Sequence, residues 1–128
     1  MSKVVLDSSA VLALFNRESG SEKLTLALLK DSSISSVNVA EVHGKLIGLG
    51  SDSDEAWEAI EGVVREIVPF TATHARVTAE LVSKTRSHGL SLADRACLAL
   101  ALTLKAPVYT ADRAWSNLRL GFPIHVIR

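Results

Sequence analysis

The sequence predicts an α/β fold, a three-layer arrangement in which a short parallel sheet of about four to five strands is flanked by helices. Three observations predict it. Short apolar runs, Val4-Val5-Leu6, Val108-Tyr109-Thr110 and Ile124-His125-Val126-Ile127, alternate with longer segments of helical periodicity, as strand–helix–strand units do. Apolar residues make up 48% of the chain and aromatics only 5%, so the core must come from Leu, Val, Ile and Ala, which suits helices on a sheet better than an aromatic-rich β fold. At 128 residues the chain, taken as one domain over 1–128, is long enough to bury about two-thirds of its unfolded surface.

Val4 to Leu6 reads as a buried parallel strand that stops at Asp7 and feeds a helix from Ala10 to Phe15. Asn16 to Gly20 breaks the chain, and Ser19 or Ser21 is placed to cap a second helix carrying Leu24, Leu26, Ala27 and Leu29. Ile34-Ser35 is a very short strand. Ser36 or Asn38 then caps a helix with Val39, Val42, Leu46 and Leu49 on its apolar side. Gly44 and Gly48 lie inside that helix and imply a packing reason such as close helix contact. After the linker-like residues 50–54, a helix runs from Asp54 to about Arg65 with Trp57, Ile60 and Val64 inward. Ile67 to Phe70 is a strand that Pro69 confines to an edge or to its own end. Thr71 or Thr73 caps a helix from His74 to His88, which Gly89 closes. Leu92 to Leu104, apolar nearly all round and capped by Ser91, is the buried central helix. Pro107 ends that segment, Val108 to Thr110 is a strand, and Gly121-Phe122-Pro123 turns the chain into the last one.

Fourteen basic residues balance fourteen acidic ones, which excludes a binder that works through a strong overall positive field. Any nucleic-acid contact must come from a local patch. The single cysteine, Cys97, excludes an internal disulfide and suits a reducing compartment. With no leader-like start and no apolar run near the ~18 residues that span a bilayer, a cytoplasmic protein without membrane contact is expected.

Four acids stand out by position: Asp7 after the first strand, Glu41 early in a helix, Asp94 in the first turn of the buried helix, and Asp112 just past Val108-Thr110. In a parallel sheet these places share one edge, the edge at which ligands bind. Carboxylates gathered there repel one another and resist burial, so something cationic must hold them. An all-oxygen site without histidine or cysteine at ligand spacing points to Mg2+ or Mn2+, and a cation so held serves phosphodiester hydrolysis. Taken singly, Asp94 and Glu41 would be ordinary partners of a helix dipole and Asp112 a turn residue; it is the joint pattern that points to a site.

The segments Val4–Phe15 with Asp7 and Ser9, Ile34–Glu41, Gly89–Asp94 running into Leu98–Ala101, and Val108–Trp115 together resemble a PIN domain, and more narrowly the VapC-type toxins of bacterial toxin–antitoxin pairs. The resemblance covers essentially the whole chain in the family's order. It implies a PIN-like three-layer α/β/α fold and a magnesium- or manganese-dependent endoribonuclease whose acids match Asp7, Glu41, Asp94 and Asp112, with Ser9 and Thr110 as supporting hydroxyls. It also implies a homodimer held inactive by a small antitoxin. Trp115 departs from the family, where Phe is commoner at that place.

Arg95 and Arg113 each follow a site acid and are candidates for holding the RNA backbone. Lys84, Arg86 and His88 read as a solvated helix end, the four scattered histidines as non-ligands, and Cys97 as core. Trp57 and Trp115 read as packing residues, with Trp115 also near enough to Asp112 to stack on a base. Two other functions fit the fold. One is a catalytically silent binding module, against which the retained acids argue. The other is phosphotransfer through an aspartyl-phosphate at Asp7, disfavoured because Ser9 stands where such enzymes commonly carry a second Asp.

Overall fold

A computed structural model describes residues 3–128. The first strand, β1 (Val4–Leu6), is followed by α1 (Ser8–Phe15) with only Asp7 between them. Asp7 has the extended backbone of a helix cap (φ −78°, ψ 155°) and accepts from the Ser9 N–H, so α1 begins two residues before the apolar run does. The expected second helix is instead two pieces, a 3-10 turn at Ser21–Lys23 and the single turn α2 (Leu26–Leu29). Neither Ser19 nor Ser21 caps it. Leu24 leaves the helical path to enter the core, and Thr25 restarts the helix by accepting from the Leu28 N–H at 3.2 Å.

The strand β2 (Ser32–Ser35) is longer than Ile34-Ser35 and wholly buried. Its serines are satisfied locally: Ser32 Oγ donates to Leu29 O at 2.8 Å and accepts from the Arg65 N–H at 3.1 Å. Ser35, not Ser36 or Asn38, caps α3 (Ser36–Gly48), accepting from the Val37 N–H. Ser36 Oγ instead accepts from the Phe70 N–H at 3.0 Å. A Cβ added at Gly44 or Gly48 would meet nothing within 4 Å, so the close helix contact expected there is absent.

Asp52 caps α4 (Ser53–Val63), in which Ala56 and Ile60 are buried. Trp57 is 38% exposed rather than inward, and its ring meets that of His43 edge-on, with centroids 5.4 Å apart. The strand β3 (Glu66–Val68) ends one residue before Pro69. Thr71 caps α5 (Ala72–Glu80), which passes into α6 (Val82–Thr85) and a 3-10 turn at Arg86–His88. The single helix expected over 74–88 is thus divided; Thr78 and Thr85 bond back to the carbonyls of His74 and Leu81, a pattern that bends helices. Gly89 then turns the chain with a left-handed φ of +64°. A reciprocal Ser91–Asp94 cap starts α7 (Leu92–Leu104), and β4 (Val108–Thr110), a 3-10 turn at Arg113–Asn117 and β5 (Ile124–Val126) complete the chain.

All five strands are parallel, in the order β3-β2-β1-β4-β5, with β1 central. Because successive strand residues face opposite sides, Leu6 enters one core with Val11, Ile34, Val42 and Ile60, while Val5 enters the other with Leu98, Leu100, Val108 and Trp115. Helices α1, α3 and α4 cover the first side and α7 the second. This three-layer sandwich brings the carboxyl ends of β1 and β4 side by side. Among the described residues no helix is long and apolar enough to cross a membrane.

Candidate active site

Asp7 is 3% exposed, and its two oxygens have opposite surroundings. Oδ2 accepts from Ser9 Oγ at 2.5 Å, from Thr110 Oγ1 at 2.9 Å and, at 3.4 Å, from the Ser9 N–H. Oδ1 is buried with no hydrogen-bond partner among the described residues. The two hydroxyls lie 3.1 Å apart, but each has one proton and spends it on Asp7, so this contact is only an approach. Ser9 Oγ accepts from the Ala111 N–H at 2.9 Å and Thr110 Oγ1 from the Asp112 N–H at 3.1 Å. Asp7, the start of α1 and the chain leaving β4 are thereby one hydrogen-bonded unit. Burial raises the Asp7 carboxyl to about 6; the Ser9 and Thr110 hydroxyls oppose the rise, and the Asp94 carboxylate adds to it.

Asp94 is half-buried at the third position of α7, with Oδ2 accepting from the Ser91 N–H at 2.9 Å. Glu41 is half-buried on α3. The thiol of Cys97, one turn along α7 from Asp94, reports on all three. Burial pushes it well above the usual thiol range, and the Asp7, Asp94 and Glu41 carboxylates, in that order, push it further. All three carboxylates therefore lie on the Cys97 side of the fold, Asp7 at the start of α1, Asp94 in the first turn of α7 and Glu41 in the second turn of α3.

Asp112 lies outside that group. Its side chain is exposed and caps the turn after β4, Oδ1 accepting from the Ala114 N–H at 3.0 Å. It lines an open cleft with Ser9, Ala111, Arg113 and Arg128, which brings it to the Ser9 side of Asp7. Arg113 is exposed along this cleft, whereas Arg95 is half-buried and gives Nη1 to Leu90 O at 2.8 Å. Trp115 is fully buried, so it packs and is not free to stack on a base.

Among the described residues, no three Asp, Glu, His or Cys side chains form a ready-made metal cage. The donors nevertheless fit a hard cation: they are all carboxylates, and Asp7 Oδ1 is a buried acceptor without a hydrogen-bond donor among the described residues. An ion of the magnesium type needs only one or two carboxylates and keeps several waters.

Sequence reasoning passed over two groups here. Asn38 is fully buried, its Nδ2 donating to Ser8 Oγ at 3.1 Å and to Ala93 O at 3.0 Å, while Ser8 Oγ donates to Asn38 O at 3.3 Å. It ties together the neighbours of Asp7 and Asp94 from a place one turn before Glu41. The signal was its helical spacing from the apolar Val42. Arg128 reaches Ala111 O with Nε at 3.0 Å and pairs with Glu18; nothing in the order of the chain brings these residues together.

Comparison with known proteins agrees with this architecture. The family model described as PIN domain matches residues 4–120. No curated protein sequence matches the chain. Among solved structures, the chain is similar to the sarcin–ricin-loop-cleaving toxin VapC20 of Mycobacterium tuberculosis, with a TM-score of 0.75 and 20% identity over 94% of this chain and 96% of that one. It is similar to the DNA-bound VapBC of Salmonella typhimurium (TM-score 0.74, 17% identity, 100% of both chains). It is also similar to a toxin–antitoxin complex from Klebsiella pneumoniae (TM-score 0.73, 16% identity, 98% of both chains).

Proposed function

Since the chain belongs to the PIN-domain family, we propose that it is a metal-dependent endoribonuclease and the toxin of a toxin–antitoxin pair, inhibited by a small antitoxin and acting in the cytoplasm as a homodimer. The observation that carries this reading is the one-sided carboxylate of Asp7. One oxygen is saturated by hydroxyls and the other is buried and bare, an arrangement that costs stability unless a cation completes it. The similar toxin–antitoxin structures support the assignment to such a pair, and the similar RNA-cleaving toxin supports RNA as substrate.

Asp7, Asp94 and Asp112 would hold Mg2+ or Mn2+, directly or through water, with Glu41 completing the set. When bound, the cation supplies charge stabilisation to the phosphodiester and a more acidic water. Ser9 and Thr110 fix the Asp7 carboxylate so that Oδ1 keeps its direction. Glu41, where it does not join the cation, takes the proton of the attacking water on a carboxylate oxygen. Attack in line on phosphorus leaves a 5′-phosphate and a 3′-hydroxyl, and the 2′-hydroxyl is not the nucleophile. Arg113, on the cleft, steadies the strand through its phosphates, and the remaining donors of Arg95 extend that contact.

Cleavage of total RNA by the antitoxin-free protein and by Asp94→Asn, with magnesium, manganese or chelator, tests the proposal. Metal-dependent cuts bearing 5′-phosphates, reduced at least about a hundredfold in the variant, are expected. Folded, metal-loaded protein that cuts no RNA would overturn it in favour of a silent binding module.

A further inference from the structure

We infer that Arg128 is a phosphate-binding residue of this site, holding the backbone of the bound RNA strand on the Asp112 side of the cleft. The inference rests on the nuclease reading and adds to it a contact assigned by position in space. Ile127 donates its N–H to Thr110 O at 2.8 Å, so the chain beyond β5 stays beside the chain leaving β4. From there Arg128 Nε donates to Ala111 O at 3.0 Å, and Nη1 pairs with Glu18, which Asn16 also contacts. The turn carrying Glu18 is pressed against the same backbone. Gly20 has a φ of +94°, and a Cβ there would lie 2.0 Å from Ile127 O.

The guanidinium is thus held on two sides, with side-chain exposures of 37% for Arg128 and 34% for Glu18, and it lines the cleft with Ser9, Asp112 and Arg113. A guanidinium has five N–H donors in a rigid fork. Two of its nitrogens are occupied, and donors remain for a phosphate oxygen. A fork already fixed loses little freedom when it binds. In a chain without net charge, two arginines beside an exposed acid supply the local attraction that the overall field does not.

The test measures binding of a labelled single-stranded RNA across a salt series, with divalent ions chelated so that the probe is not consumed. Each phosphate contact to a single strand contributes about 0.7 to the slope of log K against log salt. Arg128→Ala is expected to lower the slope by about that amount. Arg128→Lys is expected to keep the slope while weakening binding several-fold, since a point charge replaces the fork. Glu18→Gln breaks the same pair but leaves the charge, and its slope is expected to match wild type.

A purely structural Arg128 would make Glu18→Gln and Arg128→Ala alike, and equal slopes in wild type and Arg128→Ala would overturn the inference. Should alanine unfold the segment, Arg128→Gln keeps the stem and gives the same comparison. Wild-type protein that cleaves RNA with magnesium while Arg128→Ala keeps the full slope sinks the inference alone. Wild-type protein that neither binds nor cleaves RNA sinks the nuclease reading as well.

Discussion

Asp7 is asked to do two things that conflict: cap α1 and remain charged where water does not reach. Its carboxyl sits at about 6 in the fold against 3.8 for the free group. The folded state therefore holds the Asp7 proton more tightly than the unfolded chain does. The stabilisation from the protonated form is fully present below pH 3.8 and is lost as pH rises through about 6. At about 1.4 kcal/mol per unit, the loss comes to roughly 3 kcal/mol. Asp7→Asn should accordingly be more stable than wild type at pH 8 without metal, by up to that amount, in urea unfolding. The gap should narrow from pH 6 to pH 4, and a gap that ignores pH would contradict the assignment of the buried charge to Asp7. Adding magnesium above pH 6 should raise the melting temperature of wild type by clearly more than that of Asp7→Asn, because the variant lacks the buried carboxylate that gains most from the cation.

Among the elements, three helix starts meet, and Asn38 is the piece that joins them. Its amide bonds to Ser8 and Ala93 lie beside Asp7 and Asp94. Asn38→Val strands those partners and should cost about 1–3 kcal/mol in denaturant unfolding. It should also weaken Mn2+ binding, followed by electron paramagnetic resonance, by about tenfold, whereas unchanged affinity would reduce Asn38 to a fold residue. The sequence made the strand–helix alternation legible because β-branched runs and caps are local signals. Asp7, Asp94, Ser91 and Thr110 could be placed at strand ends and helix starts for the same reason. The length of β2 was not legible, since Ser32 and Ser33 lack the apolar, β-branched character that marks a strand, and it is Leu29 O and the Arg65 N–H that satisfy Ser32 inside the sheet. Nor was the break at Leu24, where a buried side chain overrides helical continuity. Arg128 was invisible for a different reason: its partners, Ala111 and Glu18, lie 17 and 110 residues away along the chain.

For the whole molecule, the site is the product of long-range pairing. The bond between Thr110 and Asp7 spans 103 residues and exists only once β4 has aligned with β1. Function is thus gathered at the carboxyl ends of central strands, while much of α3 and α4 faces outward with no share in it. The empty surroundings of Gly44 and Gly48 then bear on the stability of α3. Neither glycine relieves a clash or occupies a left-handed backbone, so each leaves its helix looser than it need be. Gly44→Ala should raise the stability of the isolated chain by about 0.5–1 kcal/mol, and Gly48→Ala, on the last turn, by less; thermal melts would read this as a rise of a few degrees with RNA cleavage unaltered. Either alanine would supply added stability, and with it room to tolerate substitutions that disturb the acidic end of the sheet.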